Sequence, residues 1–405
     1  MAIEVHLAEC VAWLSEYAAK IDAGDALPFD SCVTDPPYHL TSIVERFGKK
    51  GSTPAKVPDG GTGAYARASR GFMGKEWDGG DVAFRPETWH AVLACLKPGA
   101  HLVAFSGTRT FHRMACAIED AGFEIRDQLA WVYGTGFPKS HALKNEWLGW
   151  GTALKPSWEP ICLARKPLAE RSVAANVLKH GAGAINIDGC RIEAKSFTDW
   201  GGRAAGGGSW NESNCGLSKS GEPRPVQGRF PANLCHDGSP EVLAGFPETG
   251  KSPNGLVTQG GDHFSIGSDA KTRGTKFQGH GDAGSASRFF YSAKAGPLDR
   301  IGTTHATVKP VDLMRWLCRL VTPPGGNVID PFAGSGTTGI ACMAEGFSCT
   351  MLEMESEHFE DIERKLAFLR GDGGLKLREH DRNRDKPDNQ QDLGPLFAPD
   401  NEGNE

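Results

Sequence analysis

Asn327 to Gly346 constrains the fold of this 405-residue chain more than any other stretch. The short apolar run Asn327 to Ile329 reads as a strand, and Thr337 to Glu345 reads as a helix stopped by Gly346. Between them lies Asp330-Pro331-Phe332-Ala333-Gly334-Ser335-Gly336-Thr337-Thr338-Gly339. Glycines at a strand-to-helix turn let a ligand approach the backbone at the positive end of a helix. Ser348 to Leu352 is the next strand, and Glu353 at its end is placed to accept bonds from two ribose hydroxyls. Strand, glycine loop, helix, strand and acid in this order belong to an α/β sheet that binds a nucleoside.

Gly334, Gly336 and Gly339 also satisfy G-x-G-x-x-G, so a dinucleotide fold competes. Such a fold needs several further β-α units, and only about one and a half follow before the chain turns polar. A single nucleoside-bearing ligand such as S-adenosylmethionine needs no more than that.

The same alternation opens the chain. Ile3 to Leu7 reads as a strand, Val11, Leu14 and Tyr17 recur at helical spacing, and Phe29 to Thr34 is an apolar strand. Arg46 to Lys75 is glycine-rich and basic, and is expected to be a mobile loop. A helix around Trp89 to Leu96, the strand His101 to Phe105, a helix through Phe111 to Asp120, and strands near Leu129 to Tyr133 and Pro160 to Ala164 follow. From Thr303 the pattern returns, with Leu313, Trp316, Leu317 and Leu320 as one helical stripe and Phe359, Ile362, Leu366 and Leu369 as another, capped by Ser356. The fold class is therefore α/β, doubly wound, mostly parallel, with an antiparallel edge strand. Between about Arg165 and Ala295 glycine, serine and asparagine dominate without helical period, which predicts an irregular inserted lobe. After Arg370 the chain is polar and is expected to be disordered.

Composition narrows the partners. The net charge of -6 argues against a protein that simply coats nucleic acid, but charge is unevenly placed. Arg165 to Lys309 holds 18 Lys and Arg against 13 Asp and Glu, a surplus of +5 that can meet phosphates. The eleven cysteines include no C-x-x-C pair, and no signal peptide is read, so reduced thiols in a cytoplasm are expected and zinc is not. No apolar run approaches the roughly 20 residues that span a bilayer, so a soluble protein is expected.

The strand Phe29 to Thr34 delivers Asp35-Pro36-Pro37-Tyr38. The prolines fix their own φ and restrict the residue before them, presenting the Asp35 carboxylate and the Pro36 carbonyl on a rigid turn. Both accept hydrogen bonds, an exocyclic amino group carries two N–H donors, and the Tyr38 ring is a face on which a base can stack. Alone, the four residues are also ordinary loop punctuation.

Taken together, the two motifs resemble those of the DNA amino-methyltransferases of the adenine-N6/cytosine-N4 type, in the group whose catalytic motif precedes the cofactor motif. Asp35 to Tyr38 matches the catalytic tetrad and Asp330 to Thr338 the cofactor loop. Gly71 to Asp78, Trp131 to Lys139, Gly228 to Asn233 and Ser287 to Tyr291 resemble members common in phages and prophages. The resemblance runs from about Ile3 to Leu369. It departs at Ala8-Glu9, where Gly-Asp is usual, at His305 to Pro310, where Ala306 replaces a proline, and at Trp158 before Glu159-Pro160, where histidine is frequent.

The resemblance implies a seven-stranded methyltransferase sheet. It implies catalytic residues Asp35, Pro36, Pro37 and Tyr38, and cofactor contacts from Glu9, Thr307, Lys309, Asp330, Pro331, Phe332, Ala333, Gly334, Ser335, Gly336, Thr337 and Glu353. The implied cofactor is S-adenosylmethionine, with no metal. The implied substrate is double-stranded DNA carrying a flipped base, adenine N6 before cytosine N4, because aspartate at position 35 leans toward adenine. Related tetrads that act on RNA or protein remain an alternative, disfavoured by the motif order. The implied domains are 1–164 and 301–370 for the two halves of the catalytic domain, 165–300 for target recognition, and 371–405 for a tail. Arg203, Arg224, Arg229, Lys271, Arg273 and Lys276 are candidates to read bases. A bacterial or phage-infected cytoplasm is expected. A separate restriction endonuclease is compatible with this reading, and monomer and homodimer both stay open.

Overall fold

The computed structural model describes residues 2–38, 81–134, 136, 140–193, 197–199, 224–226, 228–250, 255–257, 275–277, 283–293, 299 and 308–371. The expected basic loop between Arg46 and Lys75, Thr307 and the expected tail lie outside them. The strands of the central sheet are β1 (Ile3–Leu7), β2 (Phe29–Thr34), β3 (Leu96–Phe105), β4 (Glu124–Val132), β5 (Trp158–Arg165), β6 (Leu234–His236), β7 (Tyr291–Ser292), β8 (Asn327–Asp330) and β9 (Ser348–Glu353). The helices that matter here are α1 (Cys10–Ala23), α2 (Pro86–Cys95), α3 (Phe111–Asp120), α4 (Val173–His180), α5 (Val311–Val321), α6 (Thr337–Glu345) and α7 (Ser356–Arg370).

The strand order is β1-β9-β8-β2-β3-β5-β4-β6-β7. Every neighbouring pair is parallel except those of β5, which runs antiparallel to both β3 and β4. Burial explains the order. All six residues of β2 are buried, as are the last three of β8 and the last five of β9, so these apolar strands occupy the interior. β1 is buried mainly at Ile3 and accordingly lies at one edge.

The antiparallel strand is not outermost. Pro160 to Arg165 of β5 are buried, which suits an interior position, whereas Arg126 to Gln128 of β4 are exposed. The later residues of β4 are then covered by β6, where Ala130 pairs with Leu234 and Trp131 with Cys235. Two short strands from the middle of the chain thus extend the expected seven to nine.

Two cores flank the sheet. Leu14, Trp89, Val92, Met114 and Ile118, from α1, α2 and α3, pack on one face. Leu313, Trp316, Leu317, Ile362 and Leu366, from α5 and α7, pack on the other. Helices on both faces make the sheet doubly wound. Residues beyond 165 continue to pack on this body. Buried Asn176 of α4 donates to the carbonyls of Pro98 and Ala182 at 2.8 and 2.7 Å, and the Trp316 ring nitrogen donates to the Cys190 carbonyl at 3.3 Å. Farther on, the described backbone forms three antiparallel ribbons, Phe197–Asp199 with Arg224–Val226, Glu248–Thr249 with Gly284–Ser285, and Gly255–Val257 with Thr275–Phe277.

The start of α7 differs by one residue from the sequence expectation. Glu355 occupies the cap position and Ser356 begins the helix, because the Glu355 N–H is held by the Glu353 carboxylate at 2.9 Å. Among the described residues no helix is long and apolar enough to cross a membrane, and the cysteines there are free thiols.

Candidate active site

The strand order sets Glu9, Glu353, the glycine loop and Asp35 to Tyr38 side by side. β1, β9, β8 and β2 are consecutive in the sheet and parallel, so their carboxyl ends share one edge, where ligands of open α/β sheets bind. β5 runs the other way, so its first residues, Trp158 and Glu159, reach the same edge. Residues far apart along the chain meet there.

The glycine loop is held by its own aspartate. Asp330, buried at the end of β8, accepts from Thr34 Oγ1 at 2.6 Å, from the Phe332 N–H at 3.1 Å and from Thr338 Oγ1 at 2.5 Å. Thr34 ends β2 and Thr338 lies in α6, so this carboxylate ties the two motifs together across 296 residues. Burial pushes the Asp330 carboxyl up to about 6, and the three donors pull against that. Pro331, Ala333, Ser335 and Thr337 are buried, whereas Phe332 and Gly334 are half exposed and form the open rim of the loop. Gly336 has φ +75°, and a Cβ there would stand 2.9 Å from Ile362 Cγ1, so glycine is required for both conformation and space.

Glu353 accepts the N–H groups of Gly334 at 2.8 Å and Glu355 at 2.9 Å. Burial raises its carboxyl above the usual range, against the pull of these bonds. Glu9 caps α1, accepting from Val11 N at 3.0 Å and Ala12 N at 2.8 Å. Burial works to raise its carboxyl, but the capping bonds and other favourable contacts outweigh it and leave it below the ordinary value. Glu9 also lines a cleft of roughly 500 Å3 with Val11, Val82, Arg85, Glu87 and Thr88. The buried Thr88 hydroxyl there has no hydrogen-bond partner in the protein. Lys365 was not foreseen. Its Nζ donates to the Ser335 carbonyl at 2.7 Å from the buried face of α7, and burial lowers its pKa to about 8. A lysine on the apolar stripe of Ile362, Leu366 and Leu369 was the available signal.

Asp35 and Tyr38 take part in a different kind of structure. Tyr38 Oη lies 2.9 Å from Asp35 Oδ1 and 3.0 Å from Glu159 Oε2. Lys309 Nζ lies 3.0 Å from Tyr38 Oη, 2.9 Å from Asp35 Oδ2 and 3.0 Å from Glu159 Oε2. Lys309 therefore sits beside Asp35, Tyr38 and Glu159 rather than in the glycine loop. Burial opposes its charge, yet the Asp35 and Glu159 carboxylates outweigh that and keep it an ammonium. Burial raises the Asp35 carboxyl, with Lys309 opposing and Glu159 reinforcing the rise. Burial and then the two carboxylates push the Tyr38 phenol well up. Pro36 is buried and Pro37 half-buried, and the Tyr38 ring packs where a Cβ on Gly107 would come within 3.3 Å.

Glu159 is the main residue that the motif reading passed over, although the Glu159-Pro160 pair at a strand start was visible. Arg229, a candidate base reader, is instead buried: its Nη1 donates to the Arg288 carbonyl at 3.1 Å and its guanidinium lies over Phe289 at 5.0 Å. Among the described residues no group of His, Cys, Asp or Glu is gathered to hold a metal.

A sheet edge that pairs a glycine loop with a carboxylate, proline and tyrosine turn has the arrangement of an amino-methyltransferase. Residues 29–364, well over half of the chain, match the N6/N4 DNA methylase family, and the chain belongs to it. M.HindIII, a Type II methyltransferase of Haemophilus influenzae, is 29% identical over 181 residues, 41% of this chain and 51% of that protein. M.SmaI, a Type II methyltransferase of Serratia marcescens, is 43% identical over 56 residues, 14% of this chain and 19% of that protein. The chain thus spans about half the length of the first relative and a fifth of the second. Among solved structures, the M1.HpyAVI-SAM complex has a TM-score of 0.41 at 16% identity, covering 90% of this chain and 98% of that one. PvuII DNA methyltransferase, described as cytosine-N4-specific, has 0.42 at 14%, covering 90% and 86%.

Proposed function

We propose that this protein transfers the methyl group of S-adenosylmethionine to the exocyclic amino group of a base flipped out of double-stranded DNA, adenine N6 before cytosine N4. The observation that carries the reading is the Thr34–Asp330 hydrogen bond of 2.6 Å, which joins the catalytic turn to the glycine loop on adjacent strands.

The residues present suit the cofactor. Glu353 offers carboxylate oxygens for a ribose diol, Gly334 an open rim for close backbone approach, and Thr88 a buried hydroxyl in need of a partner beside Glu9. When bound, S-adenosylmethionine supplies an electrophilic methyl group on a sulfonium whose departure leaves a neutral thioether. Thr307 belongs to the same proposed contacts.

An amino group on adenine or cytosine is a weak nucleophile because its lone pair is delocalised into the ring. Asp35 and the Pro36 carbonyl each accept one N–H, which localises the lone pair and favours the positive charge developing on nitrogen. Alignment by the rigid turn lowers the barrier further. A base within a duplex cannot reach this edge, so it is extruded and stacks on Tyr38. Extrusion costs a few kcal/mol, which phosphate contacts from the basic stretches Arg46 to Lys75 and Arg165 to Lys309 offset. Residues 165–300 read the sequence around the target base, with Arg203, Arg224, Lys271, Arg273 and Lys276 as the remaining candidates.

Expression in a methylation-free host, followed by sequencing that distinguishes N6-methyladenine from N4-methylcytosine, tests the reading. Modified adenine in one sequence context is the expected result. Modified cytosine would move the target base, and transfer only to RNA or protein in a competition assay would overturn the reading.

A further inference from the structure

The cluster around Asp35 has fewer protons than contacts. An ammonium has three N–H donors, and those of Lys309 are matched by Asp35 Oδ2, Glu159 Oε2 and Tyr38 Oη at 2.9 to 3.0 Å. The Tyr38 hydroxyl has one proton, yet it faces two carboxylate oxygens at hydrogen-bond distance, Asp35 Oδ1 at 2.9 Å and Glu159 Oε2 at 3.0 Å. It can donate to only one of them at a time. Tyr38 is thus a switchable bridge between two carboxylates.

A second carboxylate here needs an explanation. One anion is enough to neutralise Lys309, and another, only 21% exposed, adds desolvation cost and repulsion with Asp35. Glu159 is placed by the reversal of β5, whose first residues alone in that strand reach the catalytic edge. Tyr133, the residue after β4, also faces it, and the Glu159 carboxylate helps burial push that phenol up to about 12.

We propose that Glu159 receives, through the Tyr38 hydroxyl, the proton released when the amino group is methylated. This rests on the methyl-transfer reading above. In the reaction the C–S bond breaks, the N–C bond forms, and the amino nitrogen must lose one N–H proton. That proton passes to Asp35. Protonated Asp35 then donates to Tyr38 Oη while the Tyr38 O–H proton moves to Glu159 Oε2, leaving Tyr38 neutral and Asp35 again a carboxylate. Glu159, partly open to water, returns the proton to solvent. Lys309, within 2.9 and 3.0 Å of the two carboxylates, holds them on either side of the Tyr38 hydroxyl. Glu159 does not touch the base; it acts through Tyr38 and is a positioning and proton-accepting residue.

The test is single-turnover methyl transfer by the full-length protein across pH, on a duplex that the wild type modifies. The groups facing Glu159 are Tyr38, Asp35, Lys309 and Tyr133, with Asp330 behind Asp35. Glu159→Gln keeps the shape and an acceptor oxygen but cannot take up a proton. It should slow transfer about 10- to 100-fold, flatten the acid limb of the pH profile, and leave cofactor and DNA dissociation constants unchanged. Glu159→Asp should recover part of the rate. Tyr38→Phe removes the bridge while keeping the ring, and combined with Glu159→Gln it should cost no more than either alone. A Glu159→Gln enzyme with wild-type rate and pH profile, or one whose defect lies entirely in binding, overturns the relay. If Glu159→Gln does not fold, Tyr38→Phe decides, and full activity in that variant overturns it too. Absence of methyl transfer by the wild type on any duplex is a different result, and it removes the functional reading together with the relay.

Discussion

Along the carboxyl edge of the sheet, Glu9 and Glu353 on the glycine-loop side are held by backbone N–H groups, while Asp35 and Glu159 on the other side are held by side chains. Glu9 binds the N–H groups of Val11 and Ala12, and Glu353 those of Gly334 and Glu355. Backbone donors are fixed by the fold, so this side is a mould of set shape. Asp35 and Glu159 are bound by Tyr38 and Lys309, whose protons can be reassigned. Substitutions on the first side should act through shape and affinity, and on the second through charge and rate.

The largest expected effect tests that division directly. Asp35→Ala should reduce single-turnover methyl transfer by about a thousandfold or more while cofactor affinity, measured by calorimetry, stays within a factor of two or so. Parallel losses of rate and cofactor binding would erase the distinction between the sides. Glu353→Ala should do the reverse, weakening cofactor binding about 10- to 100-fold, since two backbone donors and the ligand lose one acceptor together. Gly336→Ala forces a side chain into a left-handed backbone and against Ile362, and should cost about 1–2 kcal/mol in denaturant unfolding. A neutral result would mean that the loop can shift.

The smallest effect is a change of slope. Asp330, raised from 3.8 to about 6, keeps its proton in the native state over a range where the unfolded chain has lost it. Its contribution to stability is therefore fully present below the lower value and is lost as pH rises through about 6. Asp330→Asn has no such titration, so its melting temperature should vary less between those two pH values than that of the wild type. An unchanged slope would place the titration on another group.

The sequence pattern went far on the mould side and less far on the other. The glycine loop, its strand, its helix and Glu353 are local, within 27 residues of Asn327, and local order carries their geometry. Tyr38, Glu159 and Lys309 are 121 and 271 residues apart, and their meeting depends on which strand lies inside the sheet and which way it runs. Pattern reading placed an antiparallel strand at the edge, whereas its burial puts it between β3 and β4. The Glu159 carboxylate therefore had no visible partner. Arg229 shows a related limit: a positive residue in a basic stretch is legible as charge, but its burial over Phe289 is not.

The first and last strands of the described body are joined, and its last helix reaches the first strand. β1 pairs with β9, and Arg370 at the end of α7 donates to the Ile3 carbonyl at 2.6 Å. A short linker from residue 371 to residue 2, with a new opening between Ala293 and Val308, would thread the same edge in another sequence. The glycine loop would then precede Asp35 along the polymer while staying beside it in space. Which motif comes first is a matter of where the ring of elements is cut, and circularly permuted variants of this chain should assemble the same sheet edge.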